Sequence, residues 1–239
     1  MKKTILVFLI TLIVISCSEN ASTTGNVSLK ATAVSSTGKT SLTGRIAASS
    51  TVVITDFKFN IGNIKFETDE TDVRHDFDPS HGDVKLTGPF LLDLLDPNKP
   101  LSQFITSLNV PNAQYEEIKF KFTKSLVEGE MLGKTFLIKG TINGKDFVIW
   151  SAEDTETELD FSDSTKDFTV NDNNLNLNIK VQLDALMEKL TEFSNNGLLV
   201  DTDADGIIEI TTNVDDEHSS IGRILKKLLE DETNLDDKD

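Results

Sequence analysis

Carboxylates alternate with small or apolar residues in the segment 201–209, which reads Asp-Thr-Asp-Ala-Asp-Gly-Ile-Ile-Glu. Calcium is a hard cation that takes roughly six to eight oxygen ligands at about 2.3–2.6 Å. A turn with a carboxylate at every second residue brings such oxygens to one point, and Gly206 permits the sharp bend that this needs. The spacing therefore predicts a calcium site. Its expected ligands are the carboxylates of Asp201, Asp203, Asp205 and Glu209 and the backbone carbonyl of Ile207.

The same segment resembles the first nine positions of an EF-hand-type calcium loop, in the form of the stand-alone Asp-x-Asp-x-Asp-Gly loops of extracellular bacterial proteins. The resemblance implies weak calcium binding, with a dissociation constant of roughly 10⁻⁴ to 10⁻³ M. Position 12 of such a loop is normally a bidentate glutamate, but here it is Thr212. The candidates for the missing ligand are Asp215, Asp216 and Glu217.

Histidines offer a second kind of metal ligand. His75 and His81 lie beside three acidic residues in the segment 74–83, and imidazole with carboxylate is a ligand set for zinc and other transition metals. Their spacing matches no closed site, so we interpret the segment as an exposed polar loop. His218, the third histidine, follows three acidic residues, and we expect it to be solvated.

Paired carboxylates are also the machinery of glycoside hydrolysis. Glu156, Glu158 and Asp160 share one face of a predicted strand, with the acidic pair 116–117 elsewhere in the chain. Nothing in the sequence marks one of these carboxylates as desolvated, so we interpret them as a solvated strand face. The chain has no Gly-x-Ser-x-Gly or His-Glu-x-x-His motif, no phosphate-binding loop and no cysteine besides Cys17. We therefore predict that it is not an enzyme.

The N-terminus carries a positive Lys2-Lys3 pair, an apolar run over residues 5–15 and then Ser16-Cys17. The run is too short to span a bilayer, which favours a cleaved export signal over residues 1–16. This segment resembles the bacterial lipoprotein signal. The resemblance implies that Cys17 becomes the acylated first residue of the mature protein and anchors it in a membrane. Because Ser18 rather than aspartate follows the cysteine, it implies the outer membrane of a Gram-negative cell, with the body facing the periplasm or the surface.

The charge of the chain limits its partners. It contains 40 acidic and 23 basic residues, for a net charge of −17. Nucleic acids and anionic membrane surfaces both require clustered lysine and arginine, so we expect neither as a partner and expect membrane contact only through the N-terminal lipid. Fourteen phenylalanines accompany only Tyr115 and Trp150, which leaves few side chains for an aromatic glycan platform. The sequence does not specify whether the ligand is a protein or a glycan.

Period-two alternation of apolar residues predicts a chain built mostly of strands. Asn143-Gly144 is a favoured type I′ hairpin turn, and pairing outward from it places Ile138 opposite Ile149. The change of parity after Gly62-Asn63 predicts a bulge. The predicted strand segments are 27–33, 42–46, 53–66, 90–95, 118–122, 138–149 and 175–183, with an exposed loop over 67–83.

Helical periodicity appears only near the C-terminus. We predict one helix capped by Asp184 and ended by residues 195–197, and a second from about Ser220. The predicted fold is mainly β, an antiparallel β-sandwich with a few C-terminal helices. The predicted organisation is a signal peptide over 1–16, a flexible tether over 17–26, the sandwich domain over 27–230 and an acidic, frayed tail over 231–239.

Three segments resemble uncharacterised β-sandwich lipoproteins of Bacteroidota: 110–120, 88–95 and the aspartate-rich stretch 201–210. The resemblance implies a lipoprotein that faces the periplasm or the cell surface. We therefore predict a non-catalytic, lipid-anchored, calcium-stabilised binding or structural protein. The alternatives are a glycan-capturing accessory protein of a nutrient-uptake system and a hydrolase that uses the acidic strand face.

Overall fold

A computed structural model describes most of the chain from Thr24 onward. Cys17, the signal segment, His75 and His81 lie outside the described residues. The described residues are 24–34, 46–47, 52–68, 83–95, 102–160, 168–171 and 173–236.

Strands dominate the described residues, and two helices follow the eleventh strand. The strands are β1 (Thr24–Val34), β2 (Ile46–Ala47), β3 (Val52–Thr68), β4 (Val84–Asp93), β5 (Ser102–Pro111), β6 (Ala113–Phe122), β7 (Phe136–Ile142), β8 (Lys145–Ser151), β9 (Thr155–Asp160), β10 (Phe168–Val170), β11 (Asn174–Gln182), β12 (Ile207–Thr211) and β13 (Thr233–Asp236). The helices are α1 (Asp184–Asn195) and α2 (Ser219–Asp231).

The strands form two curled sheets, as predicted for a β-sandwich-like fold. One has four strands in the order β13-β11-β1-β5. The other has nine, with the path β10-β6-β3-β7-β8-β12, and β2, β4 and β9 paired at its sides. Most pairs are antiparallel, but β1 with β11 and β8 with β12 are parallel. Both parallel pairs join strands that are distant in the chain, where a long connection permits the parallel direction.

One apolar core lies between the sheets and the helices, and it holds most of the phenylalanines. Alternate residues of β1 and β11 enter it, among them Leu29 and Ile179. Tyr115 is fully buried, and its hydroxyl donates a hydrogen bond to the carbonyl of Pro111 at 2.9 Å. The single tyrosine therefore belongs to the core and is not a surface aromatic.

Two local predictions are confirmed in detail. Asn143 and Gly144 have φ angles of 51° and 81°, as a type I′ turn requires, and Ile138 pairs with Ile149. The register of β3 against both β4 and β6 shifts between Ile61 and Asn63, which is the predicted bulge. Both features depend on residues adjacent in sequence.

Several predicted boundaries differ from the structure, and three of the differences concern α1, β1 and β13. Asp184 is the first residue of α1 and does not cap it; Leu183 occupies the N-cap position without a side-chain hydrogen bond. β1 begins at Thr24, inside the predicted tether. Part of the predicted frayed tail forms β13, because Leu235 pairs with Ile179 at the edge of the four-stranded sheet.

Candidate functional site

The aspartate-rich loop leads directly into β12, the last strand on the path of the nine-stranded sheet. Its backbone is tightly bent: Ala204 has a φ of 64° and Gly206 a φ of 95°. Glycine adopts such angles freely, whereas an alanine is rarely found there. The bend at Gly206 matches the expectation from sequence, and the one at Ala204 adds a second left-handed residue to the same turn.

The three aspartates converge, as their spacing predicts. One carboxylate oxygen from each of Asp201, Asp203 and Asp205 lies within 4.8 Å of the other two. Asp201 accepts a hydrogen bond from the Gly206 amide at 3.0 Å, and Asp205 accepts one from the Ile207 amide at 2.8 Å. The other oxygen of Asp201, Oδ1, is buried and has no hydrogen-bond partner. Negative charges held this close repel one another, and a divalent cation would remove that repulsion.

The other two predicted ligands, Glu209 and Ile207, have weaker structural support than the three aspartates. Glu209 is exposed on β12, and among the described residues its carboxylate does not belong to the converging group. Ile207 is the first residue of β12, so its carbonyl follows the loop directly and stays a predicted ligand.

The residue at loop position 12 faces the interior. Thr212 is buried, and its hydroxyl lies 3.0 Å from the hydroxyl of Ser151. Among its proposed substitutes, Asp216 is already engaged, since its carboxylate accepts hydrogen bonds from the Thr211 hydroxyl at 3.0 Å and the His218 amide at 2.6 Å. Asp215 and Glu217 are exposed and lie outside the converging group.

His218 is not solvated, and the expectation from sequence was wrong. Its side chain is buried, Nδ1 lies 2.8 Å from the carbonyl of Glu209, and Nε2 accepts the amide proton of Val200 at 3.3 Å. Because Nε2 must accept, the proton of the neutral ring lies on Nδ1. His218 thereby ties the residue before the aspartate loop to β12 after it. The only sequence signal for this role is its position just before an amphipathic helix.

The predicted strand that carries Glu156, Glu158 and Asp160 is β9, at the side of a charged face on the nine-stranded sheet. This charged face is made of the outward residues of β3, β4, β6 and β9. Between β3 and β6 the strand register places Lys65 opposite Lys119 and Glu67 opposite Glu117, and ion pairs along and between the strands compensate these like charges. Between β6 and β9 it places lysines opposite glutamates. Its charged members around Lys119 are Lys65, Glu67, Lys85, Glu117, Lys121, Glu156 and Glu158.

Lys119 is the centre of this face. Its ammonium lies 3.1 Å from Glu67, 3.3 Å from Glu117 and 3.4 Å from Glu158. Burial, with a hydrogen bond to Glu67, raises the pKa of Glu117 to about 7. Hydrogen bonds from Lys65 and Lys119 lower the pKa of Glu67 to about 2. Glu117 is therefore a desolvated carboxyl, whereas Glu156 and Glu158 of β9 are exposed.

A carboxyl pair whose pKa values are driven apart is an arrangement that acid–base enzymes use. A groove of about 260 Å³ beside the pair is lined by Lys65, Lys119 and other residues of the charged face, but neither Glu67 nor Glu117 lines it. The pair instead holds two neighbouring strands together through Lys119.

No helix within the described residues combines the length and the apolar character needed to cross a bilayer. Comparisons with protein-family models, with curated proteins and with solved structures gave no match to this chain.

Proposed function

We propose that this chain is a lipid-anchored protein outside the cytoplasm, with a mainly β body that calcium stabilises at the loop 201–206. In this proposal it is a non-catalytic binding or structural module, held at the outer membrane through acylated Cys17. The observation that carries the calcium part is the convergence of three carboxylates in one tight turn.

Two further features of the loop support calcium over a merely solvated turn. The backbone amides of Gly206 and Ile207 hold two of the carboxylates in place, so little ordering is needed on binding. The buried Oδ1 of Asp201 lacks a partner, and a buried polar atom without one is unfavourable. Oxygen ligands from carboxylate and carbonyl groups are those that calcium prefers.

The lipid part rests on the sequence around Cys17. Because β1 begins at Thr24, only residues 18–23 separate that strand from the anchoring cysteine. Such a segment spans at most about 25 Å when fully extended. The proposed anchor therefore keeps the folded body close to the membrane surface.

Calcium binding is tested by melting the full-length chain, purified in detergent, in calcium and in chelator. If the dissociation constant is about 1 mM, 10 mM calcium stabilises the fold by about 1.4 kcal/mol, which raises the midpoint by roughly 3–6 °C. Asp203→Asn and Asp205→Asn should lose this rise. Asp203→Asn should also melt slightly higher than the parent in chelator, because one repulsive charge is gone.

The matched control is Asp215→Asn, which removes one exposed acid near the loop but outside the converging group. It should keep the full calcium-dependent rise. A parent whose midpoint does not move with calcium, or an equal rise in all three variants, rejects the site.

The anchor is tested with Cys17→Ser. We expect this variant to lose incorporation of radiolabelled palmitate and to leave the membrane fraction, because the acylated side chain is absent. Persistence of both in the variant rejects lipid anchoring and leaves the calcium result untouched.

A further inference from the structure

The outward residues of β1, β5 and β11 are mostly uncharged, and the charged ones among them are Lys30 and Lys180. Val27, Leu29 and Leu177 point into the core, so the residues between them face outward. The strand register aligns the outward residues in two rows, which we name the polar face. The rows are Asn109, Asn26 and Asn174, and beside them Ser107, Ser28 and Asn176.

This surface departs from the composition of the rest of the chain. Charged residues make up 26% of the sequence, yet β1, β5 and β11 together contain only Lys30 and Lys180. Both lysines lie on the same side of the sheet, in the rows that follow the polar face along the strands. A protein with a net charge of −17 thus has no carboxylate on these three strands.

Strand formation does not explain the choice of side chains. Asparagine is depleted in strands, where threonine and valine are favoured, and yet asparagines alternate along β11 at positions 174, 176 and 178. Asn174, Asn176, Ser107 and Asn109 are exposed, so they add little to packing. Residues that oppose the local propensity in this way are expected at functional surfaces.

Hydrogen bonds fix part of the polar face in one arrangement. The amide group of Asn26 donates to Oδ1 of Asn109 at 3.2 Å, and the Ser107 hydroxyl donates to Oδ1 of Asn26 at 2.9 Å. These bonds orient the three side chains before any ligand arrives, which lowers the entropy lost on binding.

We propose that the polar face binds a neutral polysaccharide. Carboxamides and serine hydroxyls both donate and accept hydrogen bonds, and so do sugar hydroxyls. Side chains about 4.8 Å apart within each row, with the two rows about 6.7 Å apart along the strands, suit a polymer that repeats its hydroxyl groups. Polyanions are repelled by the net charge of −17. This binding requires neither calcium nor the lipid anchor, and it uses carboxamides in place of the aromatic platforms that the chain lacks.

Affinity electrophoresis of the full-length chain tests this proposal. Native gels would contain laminarin, xyloglucan, glucomannan or soluble starch, with polygalacturonate as the charged comparison. We expect at least one neutral polysaccharide to retard the chain and polygalacturonate to leave it unaffected. Asn109→Asp and Asn176→Asp should each weaken the retardation about tenfold or more, because each replaces an amide that donates and accepts with a carboxylate that can only accept.

Asn109→Asp is a conservative choice, because the oxygen that accepts from Asn26 is kept. The matched control is Asn213→Asp, which places the same charge on an exposed residue outside the polar face and should be retarded like the parent. Equal melting midpoints separate lost binding from lost folding.

Three results overturn the proposal. The first is that none of the four neutral polysaccharides retards the parent. The second is that both polar-face variants are retarded as strongly as Asn213→Asp. The third is that the parent sediments as a dimer that Asn109→Asp dissociates, which would assign the polar face to a second copy of the chain.

Discussion

The outer faces of the two sheets present different side chains to water: charged groups in ion pairs on one, and mostly uncharged polar groups on the other. On the charged face, the acids that lose solvent lie close to lysines, and the ammonium of Lys119 pairs with three carboxylates. On the polar face, side chains such as Asn26 and Asn109 bond to one another and carry no charge. The charged groups of the charged face pair with one another, whereas the polar face consists of side chains that can both donate and accept hydrogen bonds. The difference indicates that the charged face serves stability and the polar face serves recognition.

Among the changes that test this comparison, replacing Lys119 should have the largest effect on the free energy of unfolding. Lys119→Met keeps the aliphatic stem but leaves Glu67 and Glu117 without their shared partner, both only partly exposed. We expect a loss of about 1–3 kcal/mol in the free energy of unfolding at pH 7, between the values for surface and buried pairs. Urea denaturation measures it.

The control for this change is Lys227→Met, which removes an exposed lysine that pairs with Asp231 one helical turn away. Its cost should stay below about 0.5 kcal/mol. Equal losses in the two variants would show that the charged face has no special role in stability.

The titration of Glu117 should have a smaller effect on stability, which a series of urea denaturations at different pH values would measure. Glu117 has a pKa of about 7 in the folded chain and about 4.5 in the unfolded chain, so the folded state binds the proton more tightly. The stability that this provides is complete below about pH 4.5 and is lost as the pH rises to 7. Glu117→Gln, which mimics the protonated form, should therefore flatten the decline in urea midpoint between pH 5 and pH 8.

The titration of Glu67 does not affect the measured stability between pH 5 and pH 8. Its pKa is lowered to about 2, so the stability it contributes is lost only as the pH falls from about 4.5 towards 2. A decline of the same size in Glu117→Gln and in the parent would place the titrating group elsewhere.

The smallest effect is expected on the polar face. Asn176→Lys adds a charge to an exposed position, so the free energy of unfolding should change by no more than about 0.5 kcal/mol. Thermal melting of the variant beside the parent measures this. A loss of more than about 1 kcal/mol would mean that the absence of charge is needed for folding, and the contrast between the faces would no longer indicate recognition.

Local patterns made part of the molecule predictable. The Asn143-Gly144 turn, the bulge at Ile61 and Asn63 and the convergence of the aspartates each depend on residues a few positions apart. Their conformations are set by backbone sterics and by alternation, which a single sequence displays.

Long-range contacts were not predictable in the same way. His218 is buried and hydrogen-bonded at both ring nitrogens because folding brings the backbones of Val200 and Glu209 to either side of its ring. The raised pKa of Glu117 and the pairing of β13 likewise depend on which strands become neighbours. Hydrophobic periodicity identifies the buried side of a strand but not the strand beside it.

The parallel pairing of β1 with β11 affects the order of events when the chain folds. Val27 pairs with Leu175, so the first strand to leave a ribosome must wait for one made almost 150 residues later. Contacts between such distant parts of a chain close slowly. We therefore expect the four-stranded sheet to assemble only after synthesis is nearly complete, which would keep the chain from becoming compact until its last strands have been made.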